Sequence, residues 1–107
     1  MTNEGEGIPE SLMDMFRNSA KKHLNSIEGT CLNLKDSSFS ISESNQETLY
    51  HSAHSLKGIA GSFGFPEISE LCLQIEEIVI TLKTSQNLPE SIDKVLNKLG
   101  SIKSLLN

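Results

Sequence analysis

The sequence predicts an all-α chain folded as an antiparallel four-helix bundle behind a short disordered leader. Three observations predict it. Apolar residues recur at steps of three and four along four separate stretches, the spacing that lines one face of a helix. No stretch sustains the period-two alternation of a half-buried strand. The chain has 107 residues, 36% of them hydrophobic, which is one domain's length and enough apolar material for one core. Residues 1–8 read as a flexible leader and 9–107 as the bundle. Pro9 suits the first turn of a helix, where its missing N–H is harmless. That helix spans 9–34, with Leu12, Phe16, Ala20, Leu24, Ile27, Cys31 and Leu34 on one face. Gly29 weakens its later part by about 1 kcal/mol relative to Ala, which predicts a bend or fraying there. The Ser-rich run 35–45 reads as a loop, with Phe39 and Ile41 pinned to the bundle. Ser44 and Glu47 have capping-box spacing and open a second helix over 45–63. Leu49, Leu56, Ile59, Ala60 and Phe63 share one side of it, and Gly64, free to adopt positive φ, ends it. Pro66 starts the third helix at once, with Ile68, Leu71, Cys72, Ile75, Ile78, Val79 and Leu82 as its stripe. Residues 83–87 form a short turn. Pro89 opens the fourth helix, whose Ile92, Val95, Leu96, Leu99, Ile102 and Leu106 face inward. Short connections make neighbouring helices antiparallel, and the second and third form a tight hairpin.

Composition excludes several functions. Nine Lys and Arg face fourteen Asp and Glu, for a net charge of -5, so a broad nucleic-acid footprint is not expected. There is no Trp for stacking bases or sugars. No apolar run approaches the ~20 residues needed to cross a bilayer. The acidic, Gly-containing start is unlike a signal peptide. Two cysteines, Cys31 and Cys72, make a poor disulfide framework and read as small buried hydrophobes in a reducing cytoplasm.

The informative segment is 53–65, AHSLKGIAGSFGF. At about 100° per residue, the apolar side chains of this helix cluster opposite His54, which points away from the core. Gly58 lies about 40° to one side of His54, Gly61 about 20° to the other, and Lys57 about 60° off, one turn along. Two glycines on an outer face cost on the order of 1 kcal/mol each, and folding alone gives nothing in return. Their effect is to leave bare backbone where another molecule must come close to the imidazole. An exposed imidazole is a nucleophile that can carry a covalent group, and a lysine beside it would offset charge on transferred phosphoryl oxygens. There is no P-loop and no Gly-rich nucleotide loop, so such a group would arrive from one protein and leave to another.

The run His54-Ser55-Leu56-Lys57-Gly58, continued by Gly61-Ser62-Phe63-Gly64, resembles the signature of histidine phosphotransfer domains of phosphorelays. It is similar to the phosphotransfer domain of the chemotaxis histidine kinase. The resemblance covers nearly the whole chain. It implies a stoichiometric phosphoryl carrier rather than an enzyme. His54 accepts a phosphoryl group from a receiver aspartyl phosphate, or from a kinase domain, and passes it to another receiver's Asp. It implies that Lys57 stabilises the phosphoryl group, that Gly58 and Gly61, flanked by Ser55 and Ser62, keep the docking face flat, and that Glu76, 22 residues after His54, contacts the imidazole. The expected partners are receiver domains of response regulators and of a hybrid sensor histidine kinase, with Mg²⁺ on the receiver and no cofactor, nucleic acid or membrane here. The carrier is expected to be a cytoplasmic monomer.

Glu76 also has a case from the residues alone. It lies on the flank of the third helix's stripe, where a carboxylate accepting from Nδ1–H would fix the tautomer. Gln74, on the other flank, fits as well, and periodicity does not choose between them. Without that contact, the Glu70, Glu76, Glu77 run reads as a solvated face. A second class of function is a helical module that binds receivers without phosphorylation. A third is a bundle holding a metal between His51 and His54, whose i, i+3 spacing permits it, although no residue clearly completes such a site. His23 borders the first stripe and reads as structural.

Overall fold

The computed structural model describes residues 8–37 and 41–106. The expected leader, apart from Ile8, and the expected anchor Phe39 lie outside the described residues. Four α-helices follow one another: α1 (Glu10–Ser37), α2 (Glu43–Ser62), α3 (Pro66–Ile80) and α4 (Leu88–Leu106), with one 3-10 turn at Leu82–Thr84. The described residues contain no strand. Side-chain bonds across each seam give the topology. The Ser52 hydroxyl donates to the Ser26 hydroxyl at 3.2 Å between α1 and α2, and Gln46 donates to the Val79 carbonyl at 2.8 Å between α2 and α3. Lys98 donates to Gln74 at 2.7 Å between α3 and α4, while Lys103–Glu28 and Lys35–Asp93, both 2.9 Å, close α4 onto α1. Rising numbers on one helix meet falling numbers on its neighbour, so the bundle is antiparallel throughout.

The stripes fuse into one core. Ile27, Leu49, Leu56, Ile68, Ile75, Val95 and Ile102 are among its buried members. Ala53, absent from the stripe expected for the second helix, is fully buried as well. Ile41 packs on the core edge as expected, whereas Ile59 and Phe63 are only partly buried. Leu12 departs from expectation and is 43% exposed. Phe16 closes that end of the core instead, stacking on Phe63 (5.1 Å) and on Phe65 (4.8 Å).

Helix ends account for the other differences. α1 runs past Gly29 to Ser37 without a break. Gly29 faces open space, and burial of Ile27, Cys31 and Leu34 on the opposite side offsets its weak propensity. Lys35, expected in a loop, ties the last turn to α4 through Asp93. α2 begins at Glu43 because Ser42, not Ser44, is its cap: Ser42 has extended backbone (φ -75, ψ 157) and its hydroxyl accepts from the Asn45 N–H at 3.0 Å. Gln46 in that first turn donates to the Val79 and Ile80 carbonyls at the end of α3, where intrahelical donors run out. At the other end of α2, Gly64 takes φ 81. The Phe65 N–H reaches the Ala60 carbonyl at 2.8 Å and the Gly64 N–H reaches Gly61 at 3.3 Å, the paired bonds of a left-handed C-terminal cap. Pro66 then starts α3, so the α2–α3 connection is three residues long.

Cys31 and Cys72 are fully buried, and burial pushes both thiols up to about 12. The thiolate is the reactive form, so the native protein at pH 8 should react with neither equivalent of an aromatic disulfide reagent over minutes. In urea both should react at once. Fast labelling of the native protein would show that the bundle opens locally at these positions.

Candidate functional site

α2 presents two contrasting faces. Leu49, Ala53, Leu56 and Ala60 are fully buried, while His54, Ser55, Gly58, Gly61 and Ser62 are exposed. A Cβ at Gly58 would meet nothing within 4 Å, and one at Gly61 would meet only the Ser69 hydroxyl, at an ordinary 3.8 Å. Packing requires neither glycine. Both keep the surface beside the imidazole low.

The imidazole side chain is 56% exposed, yet its Nδ1 lies 3.2 Å from Oε2 of Glu76 on α3. Lys57 Nζ stands 2.9 Å from the same oxygen and 3.1 Å from Oε1. Glu76 is only 5% exposed, so it is no part of a solvated face, unlike Glu70 and Glu77, which are exposed. The side chain at Nδ1 is thus Glu76. Gln74 points the other way, accepting from Lys98 and donating to Glu70. The two flanks of the stripe face different helices, a matter of handedness that periodicity does not carry.

A buried carboxylate is costly unless paired and hydrogen-bonded. Glu76 is paired by Lys57, and that hydrogen bond holds the lysine ammonium above its ordinary range, against a partial desolvation that pulls it down. The lysine is therefore a cation at neutral pH, held one turn from His54. An ionised carboxylate offers only acceptor oxygens, so Nδ1 of the neutral ring carries its proton towards Glu76. The lone pair is left on Nε2.

One neighbour escaped the reading of the sequence. Tyr50, four residues before His54, lies nearly parallel to the imidazole, with ring centroids 5.7 Å apart at 11°. Its i, i+4 spacing to His54 was the available signal, since such pairs meet on a helix. His51 stands edge-on to the same tyrosine at 5.9 Å and 75°. Among the described residues, no three His, Cys, Asp or Glu side chains converge where a metal could sit. Shallow grooves flank the His54 ridge. One is lined by His54, His23, Gly58, Ile59, Ser62 and Phe63, the other by Lys57, Gly61, Ser69, Glu70 and Leu73. His23, read as structural, thus also borders the surface beside the imidazole. The arrangement is an exposed nitrogen nucleophile, backed by a buried carboxylate, with a fixed cation alongside and nothing tall in the way. No helix among the described residues is long and apolar enough to cross a membrane.

A family model described as Hpt domain matches residues 11–105. A search of the curated proteins and a search of the solved structures each return no match.

Glu76→Gln should lower the pKa of Lys57 towards or below that of an ordinary lysine, because the ionic hydrogen bond is lost while desolvation remains. The titration of the lysine ¹³Cε resonance reads this directly. An unchanged midpoint would show that something other than Glu76 holds the ammonium.

Proposed function

This chain belongs to the Hpt domain family, histidine phosphotransfer proteins that work with receiver domains in two-component phosphorelays, and we propose that His54 is its phosphoryl carrier. The observation that carries the reading is the 3.2 Å contact of Nδ1 with Glu76 on a ring that is otherwise solvent-facing. It leaves Nε2 both nucleophilic and accessible.

In the transfer, the Nε2 lone pair attacks phosphorus of a receiver's aspartyl phosphate. The P–O bond to the aspartyl oxygen breaks, and its electron pair returns to the carboxylate. The Nδ1 proton stays in place, so the phosphorylated ring carries a positive charge facing Glu76. On this reading Lys57, one helical turn from His54, offsets charge on the transferred oxygens. Reversal of the same steps hands the group to a second receiver. Mg²⁺ and the phosphorylatable Asp belong to the receiver, and this chain supplies a positioned imidazole. On this reading it is a stoichiometric carrier, proposed to work as a monomer in the cytoplasm between a hybrid sensor kinase and a response regulator. Gly58 and Gly61, with Ser55 and Ser62, form the low surface on which a receiver docks.

Incubation with a receiver domain phosphorylated by acetyl phosphate should give an acid-labile, base-stable phosphate on His54. His54→Gln should abolish it with helicity intact, while His51→Gln should leave it within about twofold of the unmodified protein. Label that survives His54→Gln would overturn the assignment.

Gly61→Gln separates docking from folding. The added Cβ meets only the Ser69 hydroxyl, at an ordinary 3.8 Å, and helix propensity improves by up to about 1 kcal/mol, so the melting temperature should hold or rise. Receiver binding and phosphoryl acceptance should fall at least about tenfold, since a displacement of ~1 Å from in-line geometry can cost about 100-fold. Normal relay by this variant would show that the bare backbone is not there for docking.

A further inference from the structure

Tyr50 contributes to the site in a way that neither the motif nor the carrier chemistry requires. A single hydrogen bond at Nδ1 fixes one edge of the His54 ring and leaves the ring plane free to swing about that contact. With 56% of the side chain exposed, solvent offers no resistance to such a swing. Helical side chains lean towards the N-terminus of their helix, so His54 lies back over the residue one turn earlier. That residue is an aromatic ring, parallel to the imidazole within 11°. Tyr50 is itself held, being half-buried against the core and sharing its groove wall with Val79 and Ile80. The imidazole is thus gripped at an edge by Glu76 on α3 and on a face by Tyr50 on its own helix. With two such contacts, Nε2 is aimed outward in one direction.

We infer that Tyr50 is a positioning residue, which fixes the plane of the His54 imidazole and stabilises the positive ring formed when Nε2 takes up a phosphoryl group. The inference rests on the reading of His54 as the carrier. The second part follows from charge. The substituted ring retains its Nδ1 proton and becomes cationic, and aromatic faces attract cations within about 6 Å of the ring centre. The tyrosine hydroxyl has no part in either effect, so phenylalanine should substitute for it and leucine should not.

The test uses the full chain as wild type, Tyr50→Phe and Tyr50→Leu, with phosphoramidate as a donor that needs no receiver. Nε2 attacks its phosphorus, the P–N bond breaks, and the nitrogen takes up a proton and leaves as ammonia. Phosphohistidine formation is followed by ³¹P NMR. The His54 tautomer is read from long-range ¹⁵N–¹H spectra, and the stack from NOEs between the two rings. Tyr50→Phe should label within about twofold of wild type with the Nδ1–H pattern kept. Tyr50→Leu should label about 5- to 10-fold more slowly, with a mixed tautomer pattern and a melting curve close to wild type. A leucine variant with wild-type rate and tautomer would overturn the positioning role. Should that variant lose helicity, the wild-type NOEs and the phenylalanine rate decide. Absent ring–ring NOEs, or a Tyr50→Phe rate below one-fifth of wild type, would overturn it too. Phosphate found on a residue other than His54 would overturn the carrier assignment instead, and the NOE and tautomer measurements would still report on the stack.

Discussion

The site depends on a single carboxylate placed where water cannot compensate it. Glu76 sits at the α2–α3 seam at 5% exposure, and a charge in that position is tolerable only with close partners. Both partners come from α2. Lys57 reaches both oxygens, and Oε2 also meets the imidazole. The pair that makes the burial tolerable therefore also brings a carboxylate oxygen to Nδ1 of His54. Buried ion pairs contribute little net stability compared with apolar packing. What this one contributes is arrangement, since α2 and α3 cannot rotate against each other without stranding the charge.

The composition of α2 follows from the same requirement. Its inner face alternates leucine and alanine, Leu49, Ala53, Leu56 and Ala60, all fully buried. Its outer face carries Gly58 and Gly61. Small side chains at a contact let helix axes approach more closely, which brings an α3 carboxylate within reach of a side chain that points outward. The glycines thin the opposite side. A helix of weak propensity is thus held in place by its packing on α1 and α3 and by caps at both ends.

Much of this architecture was legible in the residues. Apolar spacing gave the four helices, and Gly64 followed by Pro66 gave the hairpin, because each of those residues has one favoured backbone role. Segment ends were less legible. Ser44 has capping-box spacing to Glu47, yet the cap is Ser42, whose extended backbone turns its hydroxyl to the Asn45 N–H. Gly29 signalled weakness, but burial on the far side of the helix outweighs a local propensity. Leu12 continued the stripe on paper, yet the aromatic cluster of Phe16, Phe63 and Phe65 had already closed the core. At the site, the outward direction of His54 and the neighbouring Lys57 could be computed from one helix. Placing Glu76 rather than Gln74 at Nδ1 required knowing the hand of the packing. Tyr50 was overlooked because an aromatic on a helix is ordinarily read as core.

The three-residue turn around Gly64 has a consequence for how such a chain can change length. His54 and Glu76 meet across a path of two helical segments and that turn. One residue inserted into α3 ahead of Glu76 would rotate all that follows by about 100° relative to Ile68. Ile75 and Val79 would leave the core as the carboxylate left the imidazole. The 22-residue separation is therefore a measured length, and insertions and deletions can accumulate only off this path. The α3–α4 connection lies off this path, so a change of length there leaves the His54–Glu76 contact in place.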